Sequence, residues 1–456
     1  MKIKIFNNQY LFLLCLFIFS FLIKSAVFYF YLGNNNNYWQ VDSNTYHKIA
    51  QGLVINKSFS VDDNPNFYRL PGYPLFLATG YKIFGIDTKN VLWLQILLAS
   101  FIPILIYFLA LIIMPGNLLL ARMASIYSAI HIGLTLYSGF FMSESLFIFL
   151  LLIFSILFFK NKHLFSAGVF LGLAGLVRPI GHYLIFFVII ILFFKNKNIK
   201  ISLIKSLFLI LGFIITVSPW LIRNYNLQGQ VFLHSLPGGL FLNFAAARSV
   251  MIEKDLTYDR AKKYLTREID INAQDFKEKY NRSPNEIEYC NLQMDLALEY
   301  FKKYPLITIK NFLLDIFRTS FSLYSAEILY LENNRASIDY FSQKRTIKEM
   351  IYRYVNPKTD KIGVQLLILF EILLFILILL GVFGGFILAI LGFFVSKFEY
   401  IKNIYICFLP IILLFLVIGL AGGYSRMRLP AESFLIILSF IFYTYIYNIF
   451  YKHKIA

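Results

Sequence analysis

Apolar runs long enough to cross a bilayer recur from one end of this chain to the other. A membrane-spanning helix needs about 20 predominantly apolar residues, and by that measure about ten spans are expected. They are 10–32, 91–113, 119–138, 144–159, 164–178, 182–194, 203–222, 363–394, 403–421 and 431–450. The stretch 363–394 is long for one helix, and is either a single tilted span or one broken near Gly381–Gly385. Composition agrees. Of 456 residues, 59% are hydrophobic and only 15% charged, with a mean hydropathy of +0.66, where a soluble domain carries roughly 25% charged residues. The fold class expected is an all-α polytopic membrane protein. The segment Tyr10 to Leu32 is too long for a signal-peptide core and lacks a small-residue cleavage site, so it is expected to be retained as a span.

The formal net charge is +18. In a soluble protein that balance would point to nucleic acid. Here lysines sit in short loops between spans, and no nucleic-acid partner is expected. Lys2 and Lys4 precede the first span, and Lys160 and Lys162 follow the fourth. Lys195, Lys197 and Lys200 fill the turn before the seventh, with Lys205 in its first turn, and Lys397, Lys402, Lys452 and Lys454 mark the end. Alternating sides puts all of them on one face, the cytoplasmic one. Two long segments then lie outside, 33–90 and 223–362. The chain thus divides into a transmembrane core, 1–222, that includes the first outer loop; an extracytoplasmic region, 223–362; and C-terminal spans, 363–456. The middle region has helical patterning from Glu253 to Tyr304. Its apolar stretch Leu306–Leu323 carries Lys310, Asp315 and Arg318, which suits an interfacial helix better than a span. The three cysteines, Cys15, Cys290 and Cys407, form neither a disulfide framework nor a metal spacing. No metal ligands are read from the sequence, and dependence on a divalent metal stays open.

Short outer loops should be poor in cations. Arg178, Arg426 and Arg428 break that rule, Arg223 sits at another outer helix end, and Arg69 lies in the first outer loop. A guanidinium binds phosphate in a bidentate fork, so several at one boundary suit a lipid-phosphate headgroup. Any one of them alone is explained by snorkelling to headgroups; the excess on one face is not. Two acids lie at the same boundary. Asp42 follows the first span and Glu144 starts the fourth. A carboxylate facing an acceptor hydroxyl can act as a general base. Each acid also has a plain local reading, Asp42 as N-cap of a helix Ser43–Leu53 and Glu144 as a dipole-favoured acid in a first turn. His47, one turn from Asp42, is no metal site by itself. Glu371, inside an apolar span, suits a structural ion pair.

Taken in order, these segments resemble the bacterial branch of the protein-mannosyltransferase-like enzymes, family 39 of the GT-C superfamily, which includes the aminoarabinose transferases of lipid A. The matching pieces are Asp42 with Tyr46 and Ala50, then Arg69-Leu-Pro-Gly-Tyr-Pro, Met142-Ser-Glu-Ser, Gly172-Leu-Ala-Gly-Leu-Val-Arg-Pro, Ser218-Pro-Trp-Leu-Ile-Arg-Asn-Tyr and Arg426-Met-Arg-Leu-Pro. The resemblance implies a GT-C-like fold and transfer, with inversion, of a sugar from a polyprenyl-phosphate donor to a lipid, glycan or protein acceptor. It implies a bacterial inner membrane and an active site on its outer side, among membrane lipids. It makes Asp42 and Glu144 the catalytic acids, with Tyr46 and the five arginines binding substrate. No cofactor beyond the lipid-linked sugar is implied. Many relatives carry Asp-Glu at the first acid, whereas Ser43 follows Asp42 here, which bears on any paired-acid or metal role.

Two other classes compete. A lipid-linked glycan transporter or flippase would carry midplane charges, inverted repeats and interrupted helices, whereas the candidate charges here sit at the boundary. A lipid-linked glycan polymerase or ligase also carries outer-face arginines. The Asp42 region and the Arg-Leu-Pro-Gly-Tyr-Pro motif favour the transferase.

Overall fold

The computed structural model describes residues 2–33, 37–196, 198–332, 362–417 and 423–452. The cationic markers Lys197 and Lys454, part of the segment 223–362 and the end of the expected span 403–421 fall outside these residues. Helix α1 (Lys2–Val27) ends in a π turn, Phe28–Leu32. The first long loop holds α2 (Ser43–Ile55), a hairpin of β1 (Ser60–Val61) with β2 (Asn64–Pro65), and α3 (Gly72–Phe84). There follow α4 (Thr88–Ala99), α5 (Ile102–Ile113), α6 (Leu118–Ile130), α7 (Ile132–Gly139), α8 (Glu144–Lys160), α9 (Leu164–Val177), α10 (Ile180–Lys195) and α11 (Ile199–Gln228). The second long segment holds α12 (Leu236–Leu240), α13 (Ala247–Glu253), α14 (Tyr258–Tyr280), α15 (Glu286–Lys303), α16 (Pro305–Phe321) and α17 (Ser325–Glu332). Helices α18 (Ile362–Leu391), α19 (Glu399–Val417) and α20 (Ser425–Lys452) close the described chain.

Among the described residues, six helical stretches are long and apolar enough to cross a membrane: Asn8–Leu32, Thr88–Ile113, Ile199–Gln228, Ile362–Leu391, Ser396–Val417 and Ser425–Phe450. This is a multi-pass membrane protein. Taken together as one broken span, the pair α6 and α7, bent by 49°, would make a seventh. The bend has a local cause. His131 takes an extended backbone between the two helices, and its Nδ1 accepts the Leu134 N–H at 3.2 Å, capping α7. The expected spans 144–159, 164–178 and 182–194 are α8, α9 and α10, of 17, 14 and 16 residues. At 1.5 Å per residue they are roughly 21–26 Å long. Among the described residues helix length and composition support six spans, or seven with the bent pair, so the expectation of about ten is not confirmed. The stretch 363–394 is one helix without a break at its glycines. Those glycines admit neighbours instead: a Cβ on Gly381 would lie 2.0 Å from Ser439 Oγ, and one on Gly385 2.2 Å from Tyr405 Oη.

The second long segment has its own small core, in which Leu242, Val250, Leu265, Leu296 and Tyr300 pack together from Phe241–Ala246, α13, α14 and α15. Helix α16 runs along its edge with an inverted pattern. Leu306, Ile309 and Leu313 are exposed, while Asn311, Asp315 and Thr319 are buried. That is the reverse of a helix facing water. Arg248 of α13 donates to Asp315 and fixes the helix from its polar side.

Candidate active site

The first long loop is stitched to the corner between α7 and α8 by backbone. The Phe141 N–H donates to Tyr38 O at 2.9 Å, and Ser43 Oγ donates to Phe141 O at 2.9 Å. This sewing carries Asp42 to the start of α8, where Glu144 lies. From the other side, α3 packs its first residue on the end of α9; a Cβ on Gly72 would sit 2.8 Å from Leu176 O. Only glycine permits that approach, and it brings Arg69 and Arg178 to the same corner. The first turn of α20 supplies Arg426.

These five residues form one chain of charges. Arg69 Nη2 donates to Asp42 Oδ1 at 2.6 Å, and Arg426 Nη2 to Asp42 Oδ2 at 3.1 Å. Arg426 also donates through Nε to Glu144 Oε1, and Arg178 Nη1 reaches the same oxygen at 2.5 Å. Arg426 thus bridges both acids. Three guanidiniums against two carboxylates leave one positive charge in excess. Two buried atoms of this chain of charges, Arg69 Nε and Glu144 Oε2, have no hydrogen-bond partner among the described residues. Such orphaned groups are costly unless a ligand or water serves them. Tyr46 is buried, and its ring packs flat against Arg69, whose guanidinium carbon lies 4.9 Å from the centroids of both Tyr46 and Tyr68.

Neither acid is spent on helix capping. Asp42 precedes α2 with helical dihedrals and makes no side-chain cap bond, so the N-cap reading lacks its hydrogen bond. Ser143 is the cap residue of α8, and Glu144 lies in its first turn as the sequence reading had it. The two acids differ in access. The Glu144 side chain is fully enclosed, whereas that of Asp42 is 23% exposed. Burial pushes the Asp42 carboxyl up, but Arg426 and Arg69 outweigh it and hold the group well below the usual carboxylate range. Asp42 is therefore ionised and, as it stands, a weak base.

Two of the candidate arginines lie elsewhere. Arg223 donates to Asn66 O and Phe59 O, both at 3.1 Å, and stacks on Phe59, Phe67 and Trp220, so it ties α11 to the first long loop. Arg428, two residues from Arg426, points to the opposite side of α20. Its Nε donates to Glu432 at 2.6 Å, its Nη1 to Thr319 O and Ser320 O, and it is 2% exposed. Glu432 also accepts from Tyr324 Oη at 3.0 Å and lies 3.6 Å from His131. Glu371 accepts the Tyr324 and Ser325 N–H groups at 2.6 and 2.7 Å, so it caps α17. Asp62 and Asp63 sit at the exposed hairpin tip with positive φ, the two-residue turn that joins β1 to β2. His47 is held by Tyr81 Oη at 2.6 Å. Among the described residues no cluster of His, Cys, Asp and Glu suits a metal ion.

One acid near the chain is absent from the sequence reading. Glu327, on α17, accepts from Tyr137 Oη at 3.2 Å and lies within electrostatic range of Arg426 and Glu144. The available signal is a lone carboxyl in the apolar stretch Ser325-Ala-Glu-Ile-Leu-Tyr-Leu; what hid it is a separation of 183 residues from Glu144.

No family model matches the chain, and no curated protein matches it. Among solved structures it is similar to an archaeal oligosaccharyltransferase, AglB from Archaeoglobus fulgidus, in complex with an inhibitory peptide and a dolichol-phosphate. The identity is 12%, the TM-score 0.54, and the match covers 98% of this chain and 51% of that one. The apo form of an oligosaccharyltransferase from the same organism matches at 12% identity and a TM-score of 0.47, over 97% of this chain and 51% of that one. The chain spans about half the length of these two proteins. A third match is ArnT from Cupriavidus metallidurans bound to undecaprenyl phosphate, at 12% identity and a TM-score of 0.37, over 96% of this chain and 78% of that one. The first likeness shows the fold alone: the chain shares the architecture of about half of that archaeal protein.

Proposed function

We propose that this chain is a glycosyltransferase that moves a sugar from a polyprenyl-phosphate donor to a lipid, glycan or protein acceptor on the outer face of a membrane, in bacteria the inner membrane. The observation that carries the reading is Arg426, which joins a partly exposed Asp42 to an enclosed Glu144 with Arg69 and Arg178 on either side. The excess positive charge and the free Arg69 Nε suit a phosphate. The dolichol-phosphate recorded with the archaeal oligosaccharyltransferase is a ligand of that chemical kind. The outward apolar residues of α16 suit contact with the interfacial lipid in which a polyprenyl tail would lie.

In this reading the donor phosphate competes with Asp42 for Arg69 and Arg426. As the guanidiniums turn to the phosphate, Asp42 loses the charges that depress its basicity. It then accepts the proton of the acceptor hydroxyl, while the arginines stabilise charge developing on the departing phosphate. Glu144, sealed from the acceptor, orients Arg426 and Arg178. Purified protein incubated with a panel of polyprenyl-phosphate sugars and candidate acceptors tests this. Consumption of one donor with release of the polyprenyl phosphate is expected. Export or flipping of the lipid-linked sugar without cleavage would instead favour a transporter.

A further inference from the structure

Glu327 stands out because two buried contacts aim it. The Glu371 carboxylate holds the first N–H groups of α17. The Tyr324 side chain, 1% exposed, is anchored by Glu432 and lies under Arg428. The whole Arg428–Glu432–Tyr324–Glu371 cluster therefore fixes the start of α17. One turn on, the Glu327 N–H bonds back to Tyr324 O at 3.0 Å, and the side chain projects toward Tyr137 and the Arg426 chain. Tyr137 itself belongs to that corner, since its carbonyl accepts from Ser145 Oγ beside Glu144 at 3.0 Å.

We propose that Glu327 is the general acid of the transfer, opposite Asp42 as its base, with Arg426 between them. This rests on the transferase reading above. Two carboxyl groups beside one guanidinium live in opposed environments. Asp42 is hydrogen-bonded to two arginines and stays ionised. Glu327 has no ion pair among the described residues and is only half-buried, so it is reachable where Glu144 is not. Burial pushes its carboxyl up, and Arg426 and the Tyr137 hydroxyl pull it back only in part. Paired titratable groups driven apart in this way mark the acid and the base of a site.

The step balances. The acceptor oxygen forms a bond to the anomeric carbon as the bond from that carbon to the phosphate oxygen breaks, its electron pair staying on the phosphate. The acceptor proton passes to Asp42. The Glu327 proton passes to the leaving phosphate oxygen, so the product leaves as a monoanion like the donor. Asp42 then releases a proton to water and Glu327 recovers one. The groups facing Glu327 are Tyr137 from α7, Glu144 from α8, Arg426 from the first turn of α20 and Tyr424 just before that helix. Glu371 from α18 is spent on the α17 backbone.

The test compares wild type with Glu327→Gln, which keeps size and a hydrogen-bond donor but cannot release a proton. Turnover at saturating donor should fall about 10²–10⁴-fold, with little change in donor half-saturation. Wild-type turnover should decline as pH rises through the Glu327 titration, and the residual activity of Glu327→Gln should lack that decline. Difference infrared spectroscopy provides a readout independent of any donor: the carbonyl stretch of a protonated carboxyl should be present in wild type and missing in Glu327→Gln. If the band is unchanged by the substitution, or the variant turns donor over like wild type, the general-acid role is overturned while the transferase reading stands. If wild type consumes no polyprenyl-phosphate sugar at all, the transferase reading falls and the role falls with it.

Discussion

Arg426 and Arg428 stand two residues apart on one helix and belong to different kinds of charge cluster. Around Arg426 three guanidiniums meet the two ion-paired acids Asp42 and Glu144, a carboxylate oxygen and a guanidinium nitrogen have no partner among the described residues, and Asp42 is partly open. Around Arg428, Glu432 takes the charge, the Thr319 and Ser320 carbonyls accept from Nη1, and Tyr324 and Phe375 cover the plane. A cluster whose hydrogen bonds are met internally holds structure together. A cluster with unmet groups and excess charge is prepared for something not yet bound. The comparison separates residues that the same motif, Arg426-Met-Arg-Leu-Pro, presents as equivalent.

The largest effect should come from the open cluster. Asp42→Asn keeps the capping ability of Asp but not its proton affinity, so turnover should fall about 10²–10⁴-fold with expression and membrane insertion unchanged. A variant keeping wild-type turnover under donor saturation would remove Asp42 as the base and leave it as an orienter of Arg69 and Arg426. The second effect breaks the closed cluster. Arg428→Ala strands Glu432 in a buried site, and losing one partner of such a pair costs about 3–5 kcal/mol. Thermal melting in detergent should show it, together with loss of Tyr324 packing. Normal stability coupled with a weakened donor affinity would instead return Arg428 to the phosphate site. The smallest effect is Arg69→Ala, which removes one charge-assisted contact worth roughly 1.5–3 kcal/mol. It should appear in donor half-saturation, with the melting temperature nearly unmoved, and Arg69→Lys should recover only part because the fork geometry is lost. Unchanged donor kinetics in Arg69→Ala would leave that arginine as a support for Tyr46 and Tyr68.

Much of the candidate site was legible before the fold was known, and for a physical reason. A charge at a membrane boundary is costly, so Asp42, Arg69, Glu144, Arg178 and Arg426 stand out against apolar surroundings. The same rule drew in Arg223 and Arg428, because cost alone does not tell which partner repays it. Arg223 is repaid by loop carbonyls and aromatic faces, and Arg428 by Glu432. Glu327 went unseen because nothing in its own segment names the tyrosine and arginine that it meets.

The sequence by itself determined that the chain is helical, that it lives in a membrane, and that unusual charges gather at the ends of its apolar runs, because hydropathy over about 20 residues and the cost of buried charge are local quantities. Only the tertiary structure decided that 119–138 bends at His131, that α8, α9 and α10 are short, and that 363–394 runs unbroken with its glycines serving helix contact. It also decided that one guanidinium joins two acids lying 102 residues apart in the numbering, Asp42 and Glu144, while its neighbour two positions on faces away. Residues two apart on a helix point to different sides, and which side meets an acid depends on helices packed from distant parts of the chain.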